Sequence, residues 1–209
     1  EQESVGTQMF LIMKKIISLI LTLLLILPTA VFAADGNELS DPVEALTALN
    51  IIIGNESGDL MLDKGVTRAE FSTIVVRILG LSTAENKVVF TDVPLSHWAN
   101  SAINSCYNIG IINGYGDGRF GPEDEITYEQ AIKMITILMG YEPMAQTKGG
   151  YPSGYLAVAA QTKITNNVNS TMTRGDVIQL IYNAIQSPKM LQTSFGSQEE
   201  FTIMNGKNG

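Results

Sequence analysis

The sequence predicts an all-α fold of three helix-loop-helix repeats, with little or no β structure before the C-terminal tail. The first sign is a threonine followed three residues later by Glu, Gln or Asp: Thr67 with Glu70, Thr127 with Gln130, and Thr173 with Asp176. In such a pair the hydroxyl accepts from the third helical N–H while the acid or amide reaches back to the threonine N–H, a reciprocal capping box. The second sign is an apolar stripe at the same offsets after each threonine. It reads Phe71, Ile74, Val75, Ile78, Leu79, then Ala131, Met134, Ile135, Leu138, Met139, then Val177, Leu180, Ile181, Ala184, Ile185. This is helical spacing. The third sign is the run of Gly, Asn and Asp ahead of the first two capped helices, which supplies positive-φ turn positions. So small a helix pair has too little core to stand alone, so the repeats must bury their stripes on one another.

Residues 1–33 read as an upstream extension and a signal peptide. Lys14 and Lys15 precede an uncharged apolar run at residues 16–27, and Pro28 and the small residues around Ala33 and Ala34 follow. That is the three-part layout of a secretory leader. An uncleaved membrane anchor is the alternative, because residues 16–34 carry no charge and nearly reach the ~20 residues a span needs. Pro28 and the small residues favour cleavage. Residues 1–12 precede the expected start at Met13 and stand outside the fold.

The first repeat, residues 34–81, opens with a helix near Pro42, whose missing N–H costs nothing in a first turn. A glycine loop at residues 53–60 and the helix capped by Thr67 follow. In the second repeat, residues 82–142, Trp98, Ala102, Ile103 and Cys106 are expected to share a helix face ahead of the loop at residues 110–122 and the helix capped by Thr127. In the third, residues 143–190, Tyr155, Leu156, Val158, Ala159 and Ala160 mark a first helix before Thr173 caps the second. Residues 191–209 read as a linker or the start of a further domain: loop-like until a strand at residues 200–204, then Asn205-Gly206, a hairpin turn signal. No second strand follows that turn, which points to a longer protein.

The chain is 45% hydrophobic and 16% charged with a net charge of -8, enough for one compact unit. An acidic balance argues against nucleic acid, whose phosphates require basic patches. Cys106 is the sole cysteine, expected as a buried small hydrophobe. His97 is the sole histidine, and no His/Cys/Asp/Glu group has metal-ligand spacing. No catalytic residue, metal or cofactor is therefore assigned. Asp124 and Glu125, adjacent on a loop, read as solubility rather than an acid/base pair.

Arg68 and Arg174 each follow a capping threonine. A cation there is disfavoured by the helix dipole by ~0.3–1 kcal/mol. A helix start with free N–H groups plus a guanidinium fork is, however, a receptor for carboxylate or phosphate. The alternative is a surface arginine paired with a nearby acid. As surface residues, their replacement by Ala is expected to change stability by no more than ~0.5 kcal/mol. Trp98 either packs in the core or stacks on a sugar. Gly114 and its neighbours either present bare N–H groups to a ligand or form a turn.

The ordered run Phe90-Thr91-Asp92-Val93-Pro94, His97-Trp98-Ala99, Ala102-Ile103, Gly110-Ile111-Ile112-Asn113-Gly114-Tyr115-Gly116-Asp117-Gly118-Arg119-Phe120-Gly121-Pro122 and Ile126-Thr127 resembles the S-layer homology domain family. The first repeat keeps Val66-Thr67-Arg68-Ala69-Glu70-Phe71 and the third Met172-Thr173-Arg174, so the resemblance covers residues 35–188. It implies a pseudo-threefold assembly with ligand grooves between neighbouring repeats. The implied role is non-covalent attachment of a secreted protein to the bacterial cell wall, through an anionic, often pyruvylated, secondary wall polysaccharide on peptidoglycan. It further implies self-association into an S-layer, residence at the cell surface, and no membrane contact once the leader is removed. The ligand-binding residues it implies are Arg68, Glu70, Arg174, Asp176, Trp98, Asp92, Gly114 and Tyr115. The second repeat departs from the pattern: Tyr128 stands in place of the arginine and Gln130 in place of the glutamate, which points to a weakened or lost groove. The alternatives are a scaffold for protein–protein contact and the anchor of a surface enzyme.

Overall fold

The computed structural model describes residues 41–82, 85–194 and 200–204. The leader and the Asn205-Gly206 turn lie outside them. Among the described residues the fold is mostly helical: α1 (Pro42–Ala48), α2 (Arg68–Ile78), α3 (Asn100–Asn108), α4 (Tyr128–Leu138), α5 (Glu142–Thr147), α6 (Ser153–Gln161) and α7 (Arg174–Gln186), followed by strands β1 (Lys189–Ser194) and β2 (Glu200–Met204). No helix there is long and apolar enough to cross a membrane.

All three predicted capping boxes form. Thr67, Thr127 and Thr173 accept from the N–H groups of Glu70, Gln130 and Asp176, whose side chains accept in return from the threonine N–H groups. The stripes that follow are buried through Phe71, Ile74 and Val75, through Ala131, Met134 and Ile135, and through Val177, Leu180 and Ile181. Toward their ends the stripes open out, with Met139 alone of the three last positions buried: Leu79, Leu138, Met139 and Ile185 line a cavity of about 350 Å³ where the ends of α2, α4 and α7 converge.

The first helix of each helix-loop-helix unit packs on the capped helix of the unit before it. Thus α3 lies on α2, α6 on α4, and α1 returns to α7, so the order closes on itself around one core. The capped helices are also stitched at their starts. Arg68 and Ala69 donate to the Asp124 and Pro122 carbonyls at 2.9 and 3.0 Å, while Arg174 and Gly175 donate to Lys64 and Leu62 at 2.8 and 2.9 Å. Among the described residues the start of α4 makes no matching bond, and the third junction is looser.

Several expectations need correcting. Trp98 precedes α3 rather than sharing its stripe, and it is 60% exposed. The face of α3 is completed by Asn100 and Asn104, both buried; Asn100 Nδ2 donates to the Lys87, Val93 and Pro94 carbonyls and so holds the preceding segment against the helix. The short helix α5 was not anticipated; it packs on α6, and Glu142 accepts from the Tyr155 hydroxyl at 3.0 Å. The strand at residues 200–204 is not unpaired. Its partner precedes it, with Lys189 opposite Met204 and Met190 opposite Ile203 in antiparallel register.

Candidate functional site

Two grooves of matching construction form where the start of one capped helix meets the next unit. The first, about 310 Å³, brings Arg68 from the start of α2 to the loop at Asn113, Gly114 and Tyr115, with Gln130, Lys133 and Met134 of α4 and Tyr151, whose ring lies 5.5 Å from Lys133 Nζ. The second, about 210 Å³, brings Arg174 from the start of α7 to Ile53 and Gly54, with Glu70, Thr73, Ile74 and Arg77 of α2 and Trp98. The capping-box partner and the residues one turn beyond it correspond in the two: Gln130, Lys133 and Met134 in the first, Glu70, Thr73 and Ile74 in the second.

The loop of the first groove is built from behind. Asp92 accepts from Phe120 N at 2.8 Å and Gly121 N at 2.7 Å. Burial pushes its carboxyl upward, but those two N–H groups, with help from the charge of Arg119, outweigh it and leave Asp92 below the usual carboxylate range. Gly114 sits at φ +69°, where a side chain would meet the Arg119 carbonyl at 2.6 Å and the Phe90 ring at 2.7 Å. The glycine is there for the turn.

Both arginines are buried, at 7% and 8% exposure, which overturns the expectation of surface residues. Arg68 donates through Nε to the Phe120 carbonyl at 2.8 Å and lies 4.5 and 4.6 Å from the ring centroids of Phe120 and Tyr115. Burial lowers its pKa, offset in part by Tyr115, Asp124 and Asp92. The Tyr115 hydroxyl donates to Asp124 at 2.9 Å. Arg174 donates through Nη2 to the Ile53 carbonyl at 2.8 Å, and its Nε is buried with no acceptor among the described residues. The N–H groups at both helix starts are already taken by the neighbouring unit's carbonyls, so the anion-attracting part of the site is the guanidinium rather than the bare helix end.

The structure thus gathers Arg68, Gly114 and Tyr115 in one groove, and Arg174, Glu70 and Trp98 in the other. Trp98 presents an exposed ring stacked on His97 at 5.8 Å, and His97 Nδ1 accepts from Ala99 N while Nε2 meets Glu123 at 3.2 Å. Asp92 and Asp176 line neither groove. Asp176 is 6% exposed, and its oxygens accept from Asn169, Thr171 and Thr173. Burial pushes its carboxyl up, yet these bonds more than compensate and hold it low. By position in the repeat, Tyr128, which is half-buried, stands where Arg68 and Arg174 do, and Asp176 with its engaged oxygens stands where Glu70 and Gln130 do. Lys133, Tyr151, Arg77 and Thr73 escaped sequence reasoning. The available signal was slight: the residues that follow each capping-box partner on the non-apolar flank of its helix.

The S-layer homology domain model matches residues 89–132. The chain is 32% identical over 204 residues to the middle cell wall protein of Brevibacillus brevis, covering 88% of this chain and 19% of that protein. It is 29% identical over 209 residues to the surface layer protein of Brevibacillus choshinensis (92% and 18%). It is 32% identical over 163 residues to a cell surface protein of Thermoanaerobacter kivui (74% and 21%). The chain spans about a fifth of the length of these relatives.

Proposed function

The chain carries an S-layer homology domain at residues 89–132, and from that premise we propose that it is a cell-wall anchoring module. Its two arginine grooves bind an anionic, pyruvylated secondary wall polysaccharide and so tether a secreted surface protein without a covalent bond. The three helix-loop-helix units act as three repeats of that domain, at residues 34–81, 82–142 and 143–190, behind a leader that is removed on export.

The observation that supports this reading is that a buried arginine, Arg174, and an exposed tryptophan, Trp98, line the same groove. A guanidinium fork matches the geometry of a carboxylate and pairs with it through charge-assisted hydrogen bonds. The exposed Trp98 ring offers a face on which a sugar can stack. The third junction, with Tyr128 and a satisfied Asp176, contributes no binding.

Sedimentation with purified wall sacculi tests the proposal. The protein is expected to pellet with native sacculi and to stay in solution when acid has stripped the secondary polymer. Equal recovery with both preparations would refute polymer binding.

A further inference from the structure

The start of α3 is held by an imidazole rather than by a capping side chain. Ala99, at the cap position, makes no side-chain bond to the helix and is 1% exposed. Its N–H donates instead to Nδ1 of His97 at 3.1 Å. Nδ1 accepts only when it carries no proton, so this bond puts the ring's proton on Nε2, which meets Glu123 Oε1 at 3.2 Å. The backbone closes around the same residue: His97 N donates to the Pro94 carbonyl and Asn100 N to the His97 carbonyl, both at 2.9 Å. The ring also carries Trp98, stacked on it with 26° between the planes, and Trp98 in turn lines the groove of Arg174.

A second proton on the ring reverses one of these bonds. Both nitrogens of a charged imidazole are donors, so Nδ1–H would face the Ala99 N–H and leave a buried donor without its acceptor. A cation at the start of α3 also opposes the helix dipole. On the other side of the ring the same proton turns the contact with Glu123 into an ion pair. The two side chains are 12% and 73% exposed, so that gain is modest. A modest loss at Ala99 is met by a modest gain at Glu123, and the ring is drawn from one to the other at little net cost to the fold. The charged groups beside Trp98 are Glu70 and Arg77 of α2 and Arg174 of α7, which share its groove.

We propose that His97 is a proton-operated latch. Neutral, it holds the start of α3 and seats Trp98 in the groove; protonated, it releases Ala99 and carries Trp98 from its seat. The plainer use of His97 is as a fixed substitute for a cap, which predicts the same contacts on both sides of the imidazole titration.

Exchange of the Ala99 amide, followed by NMR, reports the latch, and acrylamide quenching of the sole tryptophan reports the access of Trp98. Carboxylates ordinarily titrate near about pH 4, below the range used. In the parent, protection of the Ala99 amide, corrected for the intrinsic effect of pH on exchange, should fall about tenfold between about pH 7.5 and about pH 5.5. Quenching should change with the same midpoint. His97→Asn puts an acceptor oxygen in the place of Nδ1 and takes no proton, so its Ala99 amide should stay protected throughout. Glu123→Gln withdraws the pull on the charged ring and should move the midpoint to lower pH. Should His97→Asn fail to fold, that shift carries the comparison, because a fixed cap has no midpoint to move. Level protection in the parent overturns the latch. So does the same pH dependence in His97→Asn, or an unmoved midpoint in Glu123→Gln. Release of Ala99 with unchanged quenching overturns the coupling to Trp98. None of these measurements uses the wall polymer, so the latch stands or falls apart from the anchor reading.

Discussion

Arg68 donates through Nε to Phe120 and packs along Tyr115, and in doing so it ties the start of α2 to the loop of the next unit. Its removal takes away a charge-assisted hydrogen bond and leaves a buried carbonyl unpaired. Arg68→Ala is therefore expected to cost ~1–3 kcal/mol in urea denaturation, unlike a surface change. Parent-like stability would mean that the loop holds itself. Asp92 acts on the same loop from the other side. Its folded pKa lies below the unfolded value of about 3.9, so its contribution is present above that pH and is lost as pH falls through the folded value. Stability should stay level from about pH 7 to 5 and fall below about 4, with a smaller fall in Asp92→Asn; denaturation at both ends of that range checks it. Cys106 is fully buried, and desolvation raises its thiol pKa to about 12. Iodoacetamide should label it only in denaturant. Rapid labelling of the native protein would show that α3 opens readily.

Each capped helix is specified by residues within one turn of its start, which is why α2, α4 and α7 were legible in the sequence down to the capping bonds. Thr67→Ala should cost ~1 kcal/mol of stability, the usual worth of such a cap. A thermal melt checks this, and a shift no larger than that of an exposed threonine would count against it. The grooves were only half legible. Arg68 and Arg174 stand out because a base at a helix start is locally unfavourable. Lys133 and Arg77 carry no such mark, because what assigns them to a groove is the neighbouring unit opposite. Trp98 was misplaced on a stripe because helical spacing continues smoothly back from Ala102, while the helix itself begins only at Asn100. The strand β1 was invisible for a related reason: Lys189–Ser194 has no strong alternation of its own, and it is defined by β2 and by the bond from Met190 N to the Met139 carbonyl at 3.0 Å.

At the scale of the whole molecule, the cyclic order of packing makes every unit depend on the other two. The capped helix of each unit is covered by the first helix of the next, and α1, the first helix described, is covered by α7, the last. A linear stack would lose only its end repeat on truncation, because each repeat there rests on its immediate neighbours. Here, deleting residues 143–190 removes the cover of α4 through α6 and also that of α1 through α7. It exposes Leu46 and Ile132, both 0% exposed in the intact chain. The truncated protein should therefore be unfolded as a whole, and the intact one should melt in a single transition. The bonds from Arg174 and Gly175 to Lys64 and Leu62 reinforce this closure, whereas the junction at Tyr128 lacks them. Opening should begin there. Hydrogen exchange under native conditions is expected to show weaker protection for the first turn of α4 than for those of α2 and α7. Calorimetry resolving two transitions, or a folded product after the deletion, would show that the ring is not closed energetically. Equal protection at all three helix starts would remove the weak junction.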